Sequence, residues 1–178
     1  MQRITPMPQY PANELILRAA ADGNVAFTPT FTNTLTLKYG LTTDNYPQTL
    51  SDTEISATGV SAGDDVIVTG NVSFLRLPDG ANVSVLVLSD TITEYYLMQN
   101  IEVVDLRNAK SYISVWLYYD NVREIYAIAN TTAQKHNSIA IINQSTVTNG
   151  TLWINASQLY AADVMAAAMA KGWSVRYL

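Results

Sequence analysis

The chain has 178 residues, of which 48% are hydrophobic and only 14% are charged, and its formal net charge is −5. This length allows a buried core in one medium domain or two small ones. The negative charge argues against a nucleic-acid-binding protein, which normally presents a basic face to the phosphates. Because the sequence contains no cysteine, disulfides and thiolate metal sites are excluded.

Polarity is carried mainly by Thr, Ser, Asn and Gln, a mixture that favours strands, turns and an extracellular type of surface. No apolar run reaches the roughly 18 residues that a membrane span requires. Pro6, Pro8 and Pro11 are incompatible with the helical apolar part of an export signal. We therefore expect no membrane insertion and a virion location, after assembly in the host cytoplasm. The alternative location is a bacterial cell surface.

Residues 1–12 are rich in proline and are predicted to form an extended N-terminal arm. Such a segment is either a loose tail or an arm that docks on a neighbouring subunit. Met7 and Tyr10 are the side chains suited to docking, and we select them as candidate assembly residues.

Residues 13–70 are predicted to form a small β-sandwich. Asn13–Ala21 fits either a short helix or a strand. After it, Asn24–Phe31 and Thr34–Tyr39 alternate apolar and polar residues at the period of a strand. Glu54–Ala57 and Asp65–Thr69 are two further strand candidates, with glycines between them.

Residues 72–156 contain an internal repeat of short strands that each end in Leu or Ile. The predicted strands are Ser73–Leu77, Ser84–Leu88, Thr93–Leu97, Glu102–Leu106, Ile113–Leu117, Glu124–Ile128, Ser138–Ile142 and Gly150–Ile154. Their last residues are 9 to 14 positions apart, so two strands and two turns give one coil of a β-solenoid. An eight-stranded antiparallel meander is the competing interpretation.

The predicted end of the chain is a cap on this repeat array. Ser157 or Asn155 can begin a helix over 158–171, and Gly172 occupies the usual position of a helix-terminating glycine. Residues 173–178 then form a final strand. A helix and strand in this position would cover the apolar end of a solenoid.

This closing segment carries a family resemblance. The sequence TLWIN at 151–155, followed by VMAAAMAKGWSV at 164–175, resembles the last unit of leucine-rich-repeat-like (BspA-type) surface and fibre proteins of gut Bacteroidales and their phages. Residues 33–70 resemble the PKD-like sandwich that precedes such repeats, with YGLT at 39–42 where that family has WGDG. The resemblance implies a mainly β protein, with an N-terminal sandwich and, over 71–178, an irregular LRR-like β-solenoid that a C-terminal helix and strand cap. It also implies a binding or fibre function.

The sequence offers little for catalysis or cofactor binding. His136 is the only histidine, in a segment read as a loop insert, and Asp64 and Asp65 are at most a weak Ca²⁺ site in a turn. We predict no enzyme activity, no cofactor and no metal site. A polysaccharide-cleaving β-helix enzyme remains an alternative, and its paired carboxylates would come from Glu94, Glu102, Asp105, Asp120 or Glu124.

Aromatic residues are concentrated on consecutive predicted strands, at Tyr95, Tyr96, Trp116, Tyr118, Tyr119 and Tyr126. Neighbouring side chains in a strand point to opposite faces, so part of this set should be outward and form a binding surface. Exposed aromatics suit glycan stacking or subunit contact. The competing interpretation is that they fill a narrow core.

These features lead to three hypotheses. The first is a non-enzymatic phage virion protein, a decoration, fibre or tail-associated protein with an assembly or host-adhesion role. Its partners would be other virion proteins, further copies of itself and a host-surface glycan. The second is a bacterial LRR-like surface binding module. The third is the polysaccharide-degrading enzyme.

Overall fold

The computed structural model describes residues 5–98, 101–110, 114–118 and 121–178, and for 95–98 and 114–118 it describes only the backbone. The described strands are β1 (Glu14–Ala19), β2 (Gly23–Tyr39), β3 (Thr42–Tyr46), β4 (Ile55–Val60), β5 (Asp65–Arg76), β6 (Val83–Val87), β7 (Glu94–Met98), β8 (Val103–Asp105), β9 (Ser114–Tyr118), β10 (Glu124–Tyr126), β11 (Thr151–Ile154) and β12 (Ser174–Tyr177). The described α-helices are α1 (Thr132–Gln144) and α2 (Ala161–Ala170), and a single 3-10 turn spans Gln48–Leu50. The predicted mainly β class is confirmed, as one large mixed sheet with two short helices.

The N-terminal part of the sheet is antiparallel and centres on the long strand β2, which pairs with β3, β4 and β5. The two predicted strands over 24–39 are one strand with an irregularity, because the register with β5 shifts between Thr32 and Thr36 and Asn33 has φ 66°. Gly70 of β5 faces this point, where a Cβ would lie 3.1 Å from the carbonyl oxygen of Thr34. The segment Asn13–Ala21, for which the sequence allowed either a short helix or a strand, contains strand β1.

The C-terminal part of the sheet is a parallel ladder in which β6, β8, β10, β11 and β12 follow one another in chain order. Its register aligns Val85, Val103, Glu124, Thr151 and Ser174, so successive partners are 18, 21, 27 and 23 residues apart. The antiparallel meander is therefore wrong for these strands. Successive residues of a ladder strand point to opposite faces of the sheet, and on one face Leu86, Val104, Ile125 and Leu152 enter the main core.

A second element follows each ladder strand before the chain returns to the ladder. After β6 and β8 it is a strand, and these strands, β7 and β9, extend β5 as a second parallel ladder. After β10 and β11 it is a helix, and α1 packs against α2. The main core lies between these elements and the first ladder, where it includes Ile141, Val164 and Ala168.

The predicted strand Ser138–Ile142 is wrong, because this segment lies in α1. Thr131 caps the helix in a capping box: its side chain accepts from the backbone N–H of Gln134, and the side chain of Gln134 accepts from the backbone N–H of Thr131. The buried positions of α1 recur at helical spacing: Gln134, Asn137, Ser138, Ile141 and Ile142. Three of these five residues are polar, which hid the helical period in the sequence.

The predicted helix and strand at the end of the chain are confirmed, with a later helix start. Residue Tyr160 precedes α2, and the side chain of Asn155 instead accepts from the backbone of Ser157 in a turn. Gly172 ends the helical segment with φ 81°, and β12 pairs with β11. The predicted domain boundary between 70 and 71 falls inside β5, and β1 joins β5 to β6 across it.

Candidate functional site

One face of the sheet carries a continuous row of side chains across antiparallel and parallel strands. The register aligns Ile67, Ile16, Val87, Asp105, Tyr126, Trp153 and Arg176 on seven neighbouring strands. The apolar members of this face form a second cluster, separate from the main core, together with Val85 and Val103. We call this face of the sheet the arm face, because residues of the N-terminal arm cover it.

A buried carboxylate links two aromatic rings on the arm face. Glu124 Oε1 accepts from the Tyr126 hydroxyl at 2.6 Å and from Trp153 Nε1 at 2.9 Å. The two rings are nearly parallel, at 3°, with centroids 5.8 Å apart. Glu124 is 8% exposed, so these donors replace the water that an ionised carboxylate would otherwise require.

A second buried carboxylate, Asp105 on the adjacent strand β8, is paired with Arg107 in the turn that follows this strand. Arg107 donates from Nε to Asp105 Oδ1 at 2.9 Å and from Nη2 to Oδ2 at 2.5 Å. The same guanidinium lies over the Tyr126 ring, with Cζ 4.7 Å from the centroid. The Asp105 side chain is 2% exposed, so its charge is balanced by a partner held in a fixed position.

These groups hold the N-terminal arm through its backbone. The Met7 N–H donates to the Tyr126 hydroxyl at 2.8 Å. Arg107 donates to the carbonyls of Met7 at 3.2 Å and Pro8 at 2.8 Å. Asn108 donates to the carbonyls of Tyr10 and Pro11 at 3.2 and 3.3 Å. Since proline has no N–H, the arm offers carbonyls rather than a regular strand edge, and side-chain donors recognise them.

Two side chains of the arm contact the arm face directly. Met7 is 2% exposed and belongs to the second cluster, and Tyr10 packs against the same cluster. The Tyr10 hydroxyl donates to Asp65 at 3.2 Å and accepts from Arg18 at 2.7 Å. Burial raises the pKa of the Tyr10 phenol, and the Asp65 carboxylate raises that pKa further, against a smaller lowering by Arg18. The bond to Asp65 in turn raises the pKa of Arg18.

Met7 and Tyr10 were predicted to dock on a neighbouring subunit, and in this chain they dock on its own sheet. The arm is extended, as expected from its prolines. A turn connects it to β1, and the Glu14 N–H closes this turn by donating to the Pro11 carbonyl at 3.1 Å. The receptor for the arm was not predicted. Arg107 and Asn108 were not predicted as part of this receptor. They lie about a hundred residues from their partners in the sequence, and sequence spacing gives no signal of such a contact.

The predicted aromatic binding surface is only partly described. The prediction that Tyr126 is an exposed binding residue is wrong, because its side chain is fully buried in the second cluster with Met7 and Trp153. Tyr119 lies outside the described residues. The other four lie on the neighbouring strands β7 and β9, where the register pairs Tyr96 with Trp116; they are Tyr95, Tyr96, Trp116 and Tyr118.

The carboxylates considered for catalysis are separated or engaged. Glu102 pairs with Arg123 away from the arm face, Glu94 begins β7 in the second ladder, and Asp120 lies outside the described residues. Asp105 and Glu124 lie on adjacent strands, each held as above. The other residues singled out in the sequence are also placed: His136 is exposed on α1, and Asp65 is bound by Arg18.

Within the described ranges, no group of three or more His, Cys, Asp or Glu is placed to hold a metal ion. In the same part of the chain, none of the helices has the length and apolar character needed to cross a bilayer. Comparison with protein-family models, curated proteins and solved structures returned no match.

Proposed function

We propose that this protein is a non-enzymatic structural component of a phage virion, a decoration, fibre or tail-associated protein with an assembly or host-adhesion role. The single observation that carries the proposal is the arm face. Arg107, which is bound by the buried Asp105, donates to the carbonyls of Met7 and Pro8 and so holds a peptide segment on this face. A surface built to hold an extended peptide is suited to joining chains.

We also propose the finer architecture of a small N-terminal β-sandwich followed by an LRR-like β-solenoid. The strand steps of 18 to 27 residues along the first ladder support it, because they match the length of one coil. So does the regular return of a strand or helix after each ladder strand. An experimental structure in which β6, β8, β10 and β11 did not stack in chain order would contradict this architecture.

The proposal assigns Asp105 and Glu124 a structural role. The retaining and inverting glycosidases need one carboxylate free to reach the sugar and a second to protonate the leaving group. Here Asp105 is bound by Arg107, and Glu124 accepts from Tyr126 and Trp153. Incubation with bacterial surface polysaccharides should therefore release no reducing ends. Cleavage that is lost in Glu124→Gln would favour the enzyme instead.

Mass spectrometry of purified virions tests the main proposal. The chain should be detected in particles banded in a density gradient, at a fixed ratio to the major capsid protein. A control preparation from uninfected or uninduced cells should lack it. Absence from the particles would overturn the virion assignment, and enrichment in a washed bacterial surface fraction would favour the surface binding module.

A further inference from the structure

We propose that the arm face receives the N-terminal arm of a second copy of this chain, so that two copies exchange residues 5–12 reciprocally. The inference rests on the proposed assembly role and specifies the contact that would carry it. The arm and its receptor face are both present in every copy, and their fit is directly observed within one chain. The ligand class is therefore an extended, proline-containing peptide with a buried methionine.

The arm is a separable segment of the fold. Residues 5–11 belong to no strand or helix. Their backbone donates to Tyr126 and accepts from Arg107 and Asn108, without a ladder pairing. Its prolines restrict the backbone to an extended form, so a released arm loses little of the shape that the face recognises. Ala12 and Asn13 lie in the turn before β1 and can act as the hinge.

The receptor is built without the arm. It consists of β1, β5 and the parallel ladder, whose pairings involve no residue before Glu14. A bare face would expose Val87, Val103 and Trp153, which are all at most 5% exposed when the arm is in place. Because apolar surface of this kind is costly in water, the face requires an occupant.

Exchange retains every one of these contacts and changes only the hinge. The Met7–Tyr126 bond and the Tyr10–Asp65 bond form equally well between chains. The free-energy cost of exchange is then mainly the translational and rotational entropy that the two chains lose on association. This cost becomes smaller as the local protein concentration rises. High local concentration is the condition of an assembling particle.

Two exposed residues allow docking of the arm on its own chain to be distinguished from exchange of arms between two chains. Gln9 of the arm and Asn155 after β11 line the same shallow hollow beside Arg107, and the chain has no cysteine of its own. In the double variant Gln9→Cys with Asn155→Cys, a short bismaleimide should join the two positions within one chain. In a mixture of the two single variants, the same reagent can join them only between chains.

The mixture should be refolded together at high protein concentration, treated with the bismaleimide and resolved by denaturing electrophoresis. Exchange predicts a covalent dimer at a yield at least tenfold above that of a matched mixture of Leu41→Cys with Asn155→Cys. Leu41 is fully exposed in the β2–β3 turn and reports random collisions. Adding Met7→Asp to the Gln9→Cys chain should return the yield to this background.

A yield no higher than the Leu41 background at every concentration, with efficient cross-linking inside the double variant, would overturn the exchange. Virion mass spectrometry is independent of this result. If the chain is found in virions but forms no covalent dimer, only the exchange fails. If the dimer forms but virions lack the chain, the exchange stands and the virion role fails.

Discussion

Met7 and Tyr126, which are 119 positions apart in the chain, meet through a 2.8 Å bond from the Met7 N–H to the Tyr126 hydroxyl. The same hydroxyl donates to Glu124 at 2.6 Å. One phenol oxygen therefore connects the arm to the buried carboxylate of the arm face. Docking of the arm is therefore coupled to the buried polar groups of the arm face.

The variant Tyr126→Phe tests that connection. It keeps the buried ring but leaves the Met7 N–H without this acceptor, and it removes one of the donors to Glu124. We expect the free energy of unfolding to fall by about 1–3 kcal/mol, as for a broken buried hydrogen bond. Urea denaturation gives this value, and hydrogen exchange of the Met7 amide should accelerate.

Tyr177→Phe is the matched control, because Tyr177 is 64% exposed on β12. The control should change stability by no more than about 0.5 kcal/mol. If the two variants had the same urea midpoint and Met7 exchanged at the wild-type rate, the hydroxyl would not hold the arm.

Truncation of the Met7 side chain tests the apolar part of the docking. Met7 is 2% exposed, so Met7→Ala removes buried thioether and methylene groups from the second cluster. We expect a loss of about 2 kcal/mol, at the lower end of core Met→Ala substitutions because an arm can shift to reduce the cavity. Limited proteolysis should also cut residues 5–12 faster.

Met169→Ala provides the control for that substitution. Met169 is 61% exposed on α2, and alanine is the better helix former, so stability should stay within about 0.5 kcal/mol of wild type. Equal losses in the two variants would contradict a specific role of Met7.

The tyrosine at the other end of the arm predicts a dependence on alkaline pH. The pKa of Tyr10 is raised by burial and by Asp65, so the unfolded chain loses this proton at a lower pH than the folded chain. The stability from the neutral phenol is therefore complete below the unfolded pKa of about 10, and it is lost as pH rises through the folded pKa. The urea midpoint measured at about pH 11 should therefore be lower than the midpoint measured at about pH 8.

Tyr10→Phe isolates this contribution. Tyr39 and Tyr46 also have raised pKa values, through the bond to Asp44 and through burial respectively, so the wild-type decline is not due to Tyr10 alone. The variant should lose a smaller part of its stability over the same pH interval. An unchanged slope would show that the Tyr10 phenol does not contribute to the alkaline sensitivity.

The sequence predicted the positions of the ladder strands well because the signal of a strand is local. The predicted strands Ser84–Leu88 and Gly150–Ile154 are rich in β-branched and apolar residues, and Leu86 and Leu152 of these segments lie in the main core. The pairing of distant strands left no such local trace. Tyr126 shows the limit, because alternation assigns it to the outer face but cannot reveal that a segment 119 residues earlier covers that face.

The helix α1 was missed for a different physical reason. The run SIAII at 138–142 has the β-branched residues of a strand, while the buried face of the helix is completed by Gln134 and Asn137. Polar residues are buried there because each has a specific partner, and a hydrophobic pattern does not register such bonds. Tertiary contacts thus outweighed the local preference for a strand.

Gln134 is the residue with which that explanation can be tested. Its side chain donates to the Ala109 carbonyl at 2.8 Å and accepts from the backbone of Asn130 and Thr131 at 3.1 and 3.2 Å. It is 6% exposed, so Gln134→Ala removes the capping box and a link between α1 and the residues after β8. We expect a loss of about 2–3 kcal/mol from the cap and the unpaired buried groups together.

The same substitution at Gln144 is the control, because Gln144 is exposed at the last residue of α1. Gln144→Ala should lie within about 0.5 kcal/mol of wild type, and both variants should retain the far-ultraviolet circular dichroism of the folded chain at low temperature. If Gln134→Ala were as stable as Gln144→Ala, the polar face would not be what holds this segment as a helix. The burial of Ile141 and Ile142 in the main core would then be sufficient to account for the helix.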